Sequence, residues 1–335
     1  PALSLVVDRN IRWSRVSTTE GQLLGGNTST SPPPVISAPG GERPGPETGT
    51  PVSTGGILAP VYSRDFVLNF DRPDAARTFA LVGNYDGRNW VANAQAGMLL
   101  DEFDGSLDRA WAPALGDWTS SNGVLQQTNS AATNGNIFIP LNQTSAETYL
   151  YHFRARLLSR GSNRRFGLHF FCSNGQETNR GDSYMVWLRN HDDRSDNLEL
   201  YRSTGNSLSN ILMERTISIQ PEQWIDCKVV YAPAQGLIEI YLDDQLVMDW
   251  RDPQGGLRSG RFLSLRTGSS QAQFDDIRVY RMVQGNRLAV TIGSGENNLI
   301  RFRSVGNAPA LRLYAIYQDR TGRWSQPVRE EARIE

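Results

Sequence analysis

Carboxylates, histidines and tryptophans are the side chains here whose types could do chemistry, and their spacing decides which chemistry. Retaining hydrolysis of a glycosidic bond needs two carboxyl groups about 5 Å apart, one as nucleophile and one as acid. Glu199 in NLELYR and Glu239 in LIEIYLDD instead stand singly between apolar neighbours, as residues of a solvated strand face would. His152, His169 and His191 show neither HExxH nor a short paired spacing, so zinc is not expected and each histidine reads as structural. The sequence contains no G-x-S-x-G elbow and no phosphate-cradling glycine loop ahead of a helix. Catalysis is therefore not the expectation.

Binding offers more. Sugar-binding surfaces stack pyranose rings on exposed aromatics and fix hydroxyls with Arg, Asn and Asp, so a face holding His169, Trp187 and Arg189 is the candidate glycan site. The competing role of Trp187 is core packing, which the usual burial of aromatics in sandwiches favours. Arg180-Gly181-Asp182 matches a three-residue adhesion motif, but its place before SYMVW makes it a strand-entry turn in which Gly181 supplies a permissive backbone. NHDDRSDN, residues 190–197, lacks the glycine and terminal glutamate of an EF-hand loop and reads as a solvated hairpin loop.

These residues must be positioned by short strands. From Asp101 to Arg281, turn signals recur every eight to twelve residues between alternating runs such as YLYHFRARLL, RRFGLHFFCS, SYMVWLRN, NLELYRS and WIDCKVVYA, and no helical periodicity is sustained. Two stacked antiparallel sheets, a jelly roll over residues 100–281, are expected. Flanking it are fragments too small to fold alone, residues 61–99, with a hairpin signal at Asp86-Gly87, and residues 282–335. Paired across the insertion they supply the strands of one immunoglobulin-like sandwich. Ahead of them, residues 1–13 read as one strand and residues 14–60, rich in Gly, Pro, Ser and Thr, as an extended linker. The fold class is all-β.

Bulk properties narrow the partners. A formal net charge of -1 gives no reason to expect nucleic acid, and no apolar run is long enough to cross a membrane. Lys228 is the only lysine, so arginine carries nearly all the basic charge. Cys172 and Cys227 sit in strand-like runs as small hydrophobes, and a bridge between them requires adjacent strands and an oxidising compartment. A chain starting at Pro1 is compatible with a processed secreted protein or an excised fragment, and an extracellular or bacterial cell-surface setting is expected.

The DEF opening, RGDSYMVW, WIDCKVVY, GLIEIYLDDQLV, the DW before a glycine-rich turn and the closing FDDIRVYR together resemble the laminin-G and concanavalin-A-like jelly-roll superfamily, as found in secreted bacterial proteins and accessory modules of carbohydrate-active enzymes. RLYAIYQDRTGRWSQP in the flank resembles immunoglobulin or fibronectin type III domains. The first resemblance implies a structural calcium ion where first and last strands meet, placed here at Asp101 or Asp104 and Asp275 or Asp276. The E-x-D-x-x-E strand of the superfamily's glucanases has no counterpart. Fold likeness carries architecture further than activity.

The expected function is a non-catalytic structural or adhesive protein. Its partners are copies of itself or another surface protein, with Ala2, Leu3, Ser4, Leu5, Val6 and Val7 adding as a strand to a neighbour's open sheet edge and so building a filament. The alternatives are a polysaccharide-binding accessory module of a secreted enzyme, a subunit of a larger envelope complex and a divergent glycoside hydrolase.

Overall fold

The computed structural model describes residues 4–8, 11–15, 65–70, 75–85, 90–92, 94–285, 287–291 and 311–332. Among them regular structure is β, apart from 3-10 turns at Ala94–Ala96 and Pro233–Gln235. The chain divides into two compact units, Pro1–Leu100 with Tyr280–Glu335, and Asp101–Val279.

The second unit is a jelly-roll sandwich. Its front sheet runs Ser207–Leu208, Asp196–Thr204, Ser183–Asn190, Arg164–Cys172, Ser259–Gly268, Gly135–Thr144 and Ala112–Leu115, with Met213–Ile217 also pairing Asp196–Thr204. Its back sheet contains Gln245–Arg251, Leu237–Leu242, Ile225–Ala232, Tyr149–Leu157 and Ala272–Met282 in that order. Residues of alternate parity on each strand face opposite ways, so a single set from each sheet makes the core. Phe166, Leu168 and Phe170, Tyr184, Val186 and Leu188 fill it from the front, and Tyr151, Phe153, Val229, Tyr231, Ile238 and Ile240 from the back. Phe170 stacks on Tyr184 at 5.6 Å between centroids and meets Tyr151 at 5.0 Å, while Tyr231 lies edge-on to Tyr184 at 5.2 Å. Such pairs contribute about 0.5–1.5 kcal/mol each beyond the area they bury. This aromatic seam fixes which face of the front sheet is left for the site.

Within the first unit, Asp65–Phe70 pairs with Arg287–Thr291 and with Ile11–Arg15, and Ala75–Tyr85 pairs with Leu311–Asp319, which pairs with Val328–Ala332. Segments on either side of the second unit therefore join in common sheets. Its likeness to an immunoglobulin domain rests on the sequence pattern alone. Asp86-Gly87 lies outside the described residues, though the strands around it pair with Tyr85 opposite Trp90. NLIRFRSV, residues 298–305, and most of the expected 14–60 linker also lie outside them.

The N-terminal segment corrects one expectation. Instead of one strand over residues 1–13 there are two, Ser4–Asp8 and Ile11–Arg15, paired antiparallel with Ser4 opposite Ser14, so the strand takes in the first two residues assigned to the linker. Of the residues expected to augment a neighbour, Ser4, Leu5 and Val6 pair along one side with the second strand, and Ser4–Asp8 is the edge of its sheet; Ala2 and Leu3 lie outside the described residues.

Cys172 and Cys227 are both free and buried, on strands of different sheets, which removes the disulfide possibility. Burial pushes the Cys172 thiol up to about 12 and the Cys227 thiol well above its usual value. Both behave as small hydrophobes.

Candidate functional site on the outer face of the front sheet

Four strands of the front sheet turn polar residues outward at alternate positions. Arg165, Gly167 and His169 come from one; Ser183, Met185, Trp187 and Arg189 from the next; Asn197, Glu199 and Tyr201 from a third; and Ser264 and Arg266 from the fourth. Register places Arg165 opposite Arg189, Trp187 opposite Glu199, and Gly167 between Trp187 and Arg266. The missing side chain at Gly167 lets indole and guanidinium approach across it, Arg266 Cζ lying 4.8 Å from the ring centroid. Arg165 Cζ lies 5.4 Å from the same ring. Cation–π contacts of this kind contribute about 0.5–2 kcal/mol and hold otherwise mobile guanidiniums in place.

A directed hydrogen-bond chain fixes the rest. Arg266 Nη1 can only donate, so its 2.7 Å contact makes His169 Nε2 the acceptor and leaves the ring proton on Nδ1. That Nδ1–H points to Ser183 Oγ at 3.2 Å, whose hydroxyl donates to the Asn179 carbonyl at 2.8 Å. Burial, aided by the charges of Arg180 and Arg266, drives the His169 pKa well below its usual value, so the ring is neutral as the chain requires. On the far side Glu199 Oε2 accepts from Arg189 Nη2 at 3.0 Å and from Tyr201 Oη at 2.8 Å.

The loop between Cys172 and Ser183 adds a fourth guanidinium. Gly175 packs against the Phe138 ring, where a Cβ would lie 2.2 Å from Cδ2, and Arg180, 0% exposed, reaches Ser264 Oγ at 3.1 Å and Asn134 Oδ1 at 3.2 Å. Both Arg180 and Gly181 hold left-handed backbone, φ 64° and 66°, an uncommon state for arginine that the surrounding contacts must impose. The Arg-Gly-Asp tripeptide thus buries its arginine and cannot offer it to a receptor.

The structure brings the three candidate glycan residues, His169, Trp187 and Arg189, onto this one face. It also changes their roles. Trp187 is 2% exposed and carries cations over its ring, so it is a packed support rather than a stacking platform. Glu199, read as solvated, is fully buried and ion-paired. Sequence reasoning missed Arg165, Arg180 and Arg266; the available signal was polar residues at every second position of strands otherwise too apolar to be exposed.

The four candidate calcium residues do not converge. Asp101 accepts from the Phe103 amide at 2.9 Å and from Trp111 Nε1 at 2.8 Å, and burial raises its pKa to about 6. Asp276 faces Arg278 at 3.2 Å and Arg154 at 3.8 Å. Asp275 is buried and Oδ1 accepts from the Asp276 amide, and Asp104 is exposed. Among the described residues no group of three or more His, Cys, Asp or Glu is placed to hold a metal ion, and a calcium site is not shown. In the 190–197 loop Asp196 is likewise structural rather than solvated, accepting from Asn190 Nδ2, the His191 amide and the Ile219 amide.

Comparison with known proteins places the second unit. Among solved structures, a carbohydrate binding module from Bacillus subtilis is similar at 16% identity and a TM-score of 0.42, over 51% of this chain and 95% of that one. The β-glucanase of Bacillus licheniformis is similar at 11% identity and 0.42, over 55% and 98%. A glycosyl hydrolase so described from Parabacteroides distasonis is similar at 14% and 0.39, over 55% and 93%. No curated protein matches the chain. The sequence profile of the 3-keto-alpha-glucoside-1,2-lyase-like domain matches residues 101–280, more than half of the chain, and the chain therefore belongs to that family.

Proposed function

We propose that the jelly roll is a saccharide-binding module and that the outer face of its front sheet is the binding surface. One observation carries this reading: buried polar atoms there have no hydrogen-bond partner, namely Arg165 Nε, Arg180 Nη2, Arg189 Nε, Arg266 Nε and Glu199 Oε1. An unpaired buried polar group costs about 1–3 kcal/mol, so a fold keeps several together where a ligand satisfies them. Sugar hydroxyls both donate and accept, which suits four donors and an acceptor. Family membership supports a sugar as the ligand. The test is calorimetric titration with a saccharide panel; binding lost in Glu199→Gln and Arg266→Met with folding intact supports the reading, and absence of binding to every member overturns it.

A second reading is catalytic, favoured by Glu199 Oε1 standing free beside guanidiniums. In a 3-keto sugar the C2 hydrogen is acidified by the adjacent carbonyl. Glu199 would take that proton, leaving the C2–H electron pair as the C2=C3 enolate; collapse of the enolate restores the ketone and forms the C1–C2 double bond as the C1–O bond breaks, and protonated Glu199 returns its proton to the departing oxygen. An arginine facing the ketone oxygen would stabilise the enolate that develops. Unsaturated ketone appearing with wild type and not with Glu199→Gln supports it; no turnover of any 3-keto glucoside leaves binding alone. A filament built through residues 2–7 is not proposed, because none of the similar proteins supports one.

A further inference from the structure

Resting on the saccharide reading, we infer that the sugar bound by the front face is anionic and carries a carboxylate, as in a uronic acid. The charge inventory points there first. Arg165, Arg180, Arg189 and Arg266 share the face with one buried carboxylate, Glu199, and the register neighbour of Glu199 is Glu214, exposed at the sheet edge. Glu199 is committed to Arg189 and Tyr201. The acceptors of Arg180 are the Ser264 hydroxyl, the Asn134 amide oxygen and the Glu177 and Thr178 carbonyls, none of them charged. Those of Arg266 are the neutral His169 ring and the Met185 sulfur. Two of these cations, Arg165 and Arg189, stand directly opposite each other, and the one carboxylate beside them, Glu199, is held by Arg189, so the pair carries a net positive charge that a further anion would offset.

The free atoms specify the shape of that anion. On Arg165, Arg189 and Arg266 the unpartnered atom is Nε, which with a neighbouring Nη forms the guanidinium edge that matches both oxygens of a planar carboxylate. Burial and the neighbouring Arg180 and Arg165 charges lower the Arg266 pKa to about 8, and burial lowers that of Arg180 to about 10, the direction expected of cations short of a counterion. Arg165 and Arg189 are the half-buried members, so the ligand enters over them and reaches Arg266 beneath.

The test is titration of the whole chain with an oligogalacturonate, a sulfated oligosaccharide and a neutral gluco-oligosaccharide at two salt concentrations. The expected result is binding of the oligogalacturonate, about tenfold or more weaker in Arg165→Lys, which keeps the charge and loses the fork, and unchanged in the exposed Arg109→Ala. Arg165→Lys also guards against a folding defect in Arg266→Met. Equal binding of the neutral sugar, indifferent to Arg165, overturns the anionic assignment while leaving the saccharide reading in place. Preference for the sulfated sugar over the uronate overturns the carboxylate assignment. No binding of any of the three overturns both.

Discussion

The two outward faces of one sandwich treat charge in opposite ways. On the back sheet Lys228 is buried, yet it is bonded to Asp226 and at 2.7 Å to Asp244, and Asp226 also meets His152 Nε2 at 2.5 Å. Arg278 there reaches Glu102 at 2.8 Å and Asp276 at 3.2 Å. Burial opposes charge on Asp226, but His152 and Lys228 overcome it and hold its carboxyl well below the usual range. Every named cation has its carboxylate. On the front face four guanidiniums share the single buried carboxylate of Glu199. A balanced buried network serves the fold, whereas an unbalanced one has a stability cost that only a ligand removes.

That contrast can be broken by substitution. Lys228→Met leaves the half-buried Asp226 and Asp244 without their cation, and urea denaturation is expected to show a loss of about 3 kcal/mol, the low end for a broken buried pair. Saccharide binding by whatever protein remains folded should be unchanged. If Lys228→Met is as stable as wild type, the back face is not the balanced structural network described.

A smaller effect separates the faces by pH. The folded-state pKa of His169 is depressed by burial and by Arg180 and Arg266, so the unfolded chain binds its proton first as the pH falls. His169 therefore contributes stability that is complete above about 6.5 and is lost below it. Asp101 has the opposite sign: its raised pKa favours the folded state below about 4 and that contribution disappears as the pH rises through about 6. Denaturation curves for His169→Gln should lose part of the acid slope below about 6.5. Curves for Asp101→Asn should steepen it between about 4 and 6, since the opposing term is gone.

The smallest effect sharpens the role of the core. With both thiols buried and raised by burial, Cys172 and Cys227 should not react with an aromatic disulfide reagent until the protein unfolds. Rapid native reaction at Cys172 would show that the loop beside it opens.

Period-two patterns made the strands legible, which is why YLYHFRARLL, SYMVWLRN and WIDCKVVYA each became a strand with alternate residues in the core. The same pattern grouped His169, Trp187 and Arg189. What it could not show was depth. A glutamate between two leucines looks solvated until a neighbouring strand supplies Arg189, and a tryptophan looks like a platform until Arg165 and Arg266 cover it. Arg180 was hidden for another reason, because its place depends on a left-handed loop folding back over Ser264. Asp276 looked free to bind calcium until Arg154, distant in sequence, and Arg278, two residues on, were placed beside it. The hairpin at Ser4–Arg15 was read as a single strand because the alternation of its two halves runs on without a break in composition.

The central claim is that the front face is incomplete without its ligand, and Arg266→Met tests it most directly. Replacing an unbalanced buried guanidinium by an apolar side chain of similar length removes a desolvated charge and strands no carboxylate, although it leaves His169 Nε2 without its donor, so the unliganded variant should lose no more than about 1–2 kcal/mol in urea, while oligogalacturonate raises the midpoint of wild type alone. A variant destabilised by several kcal/mol without ligand, as Lys228→Met is expected to be, would place Arg266 in the structural core and contradict the account.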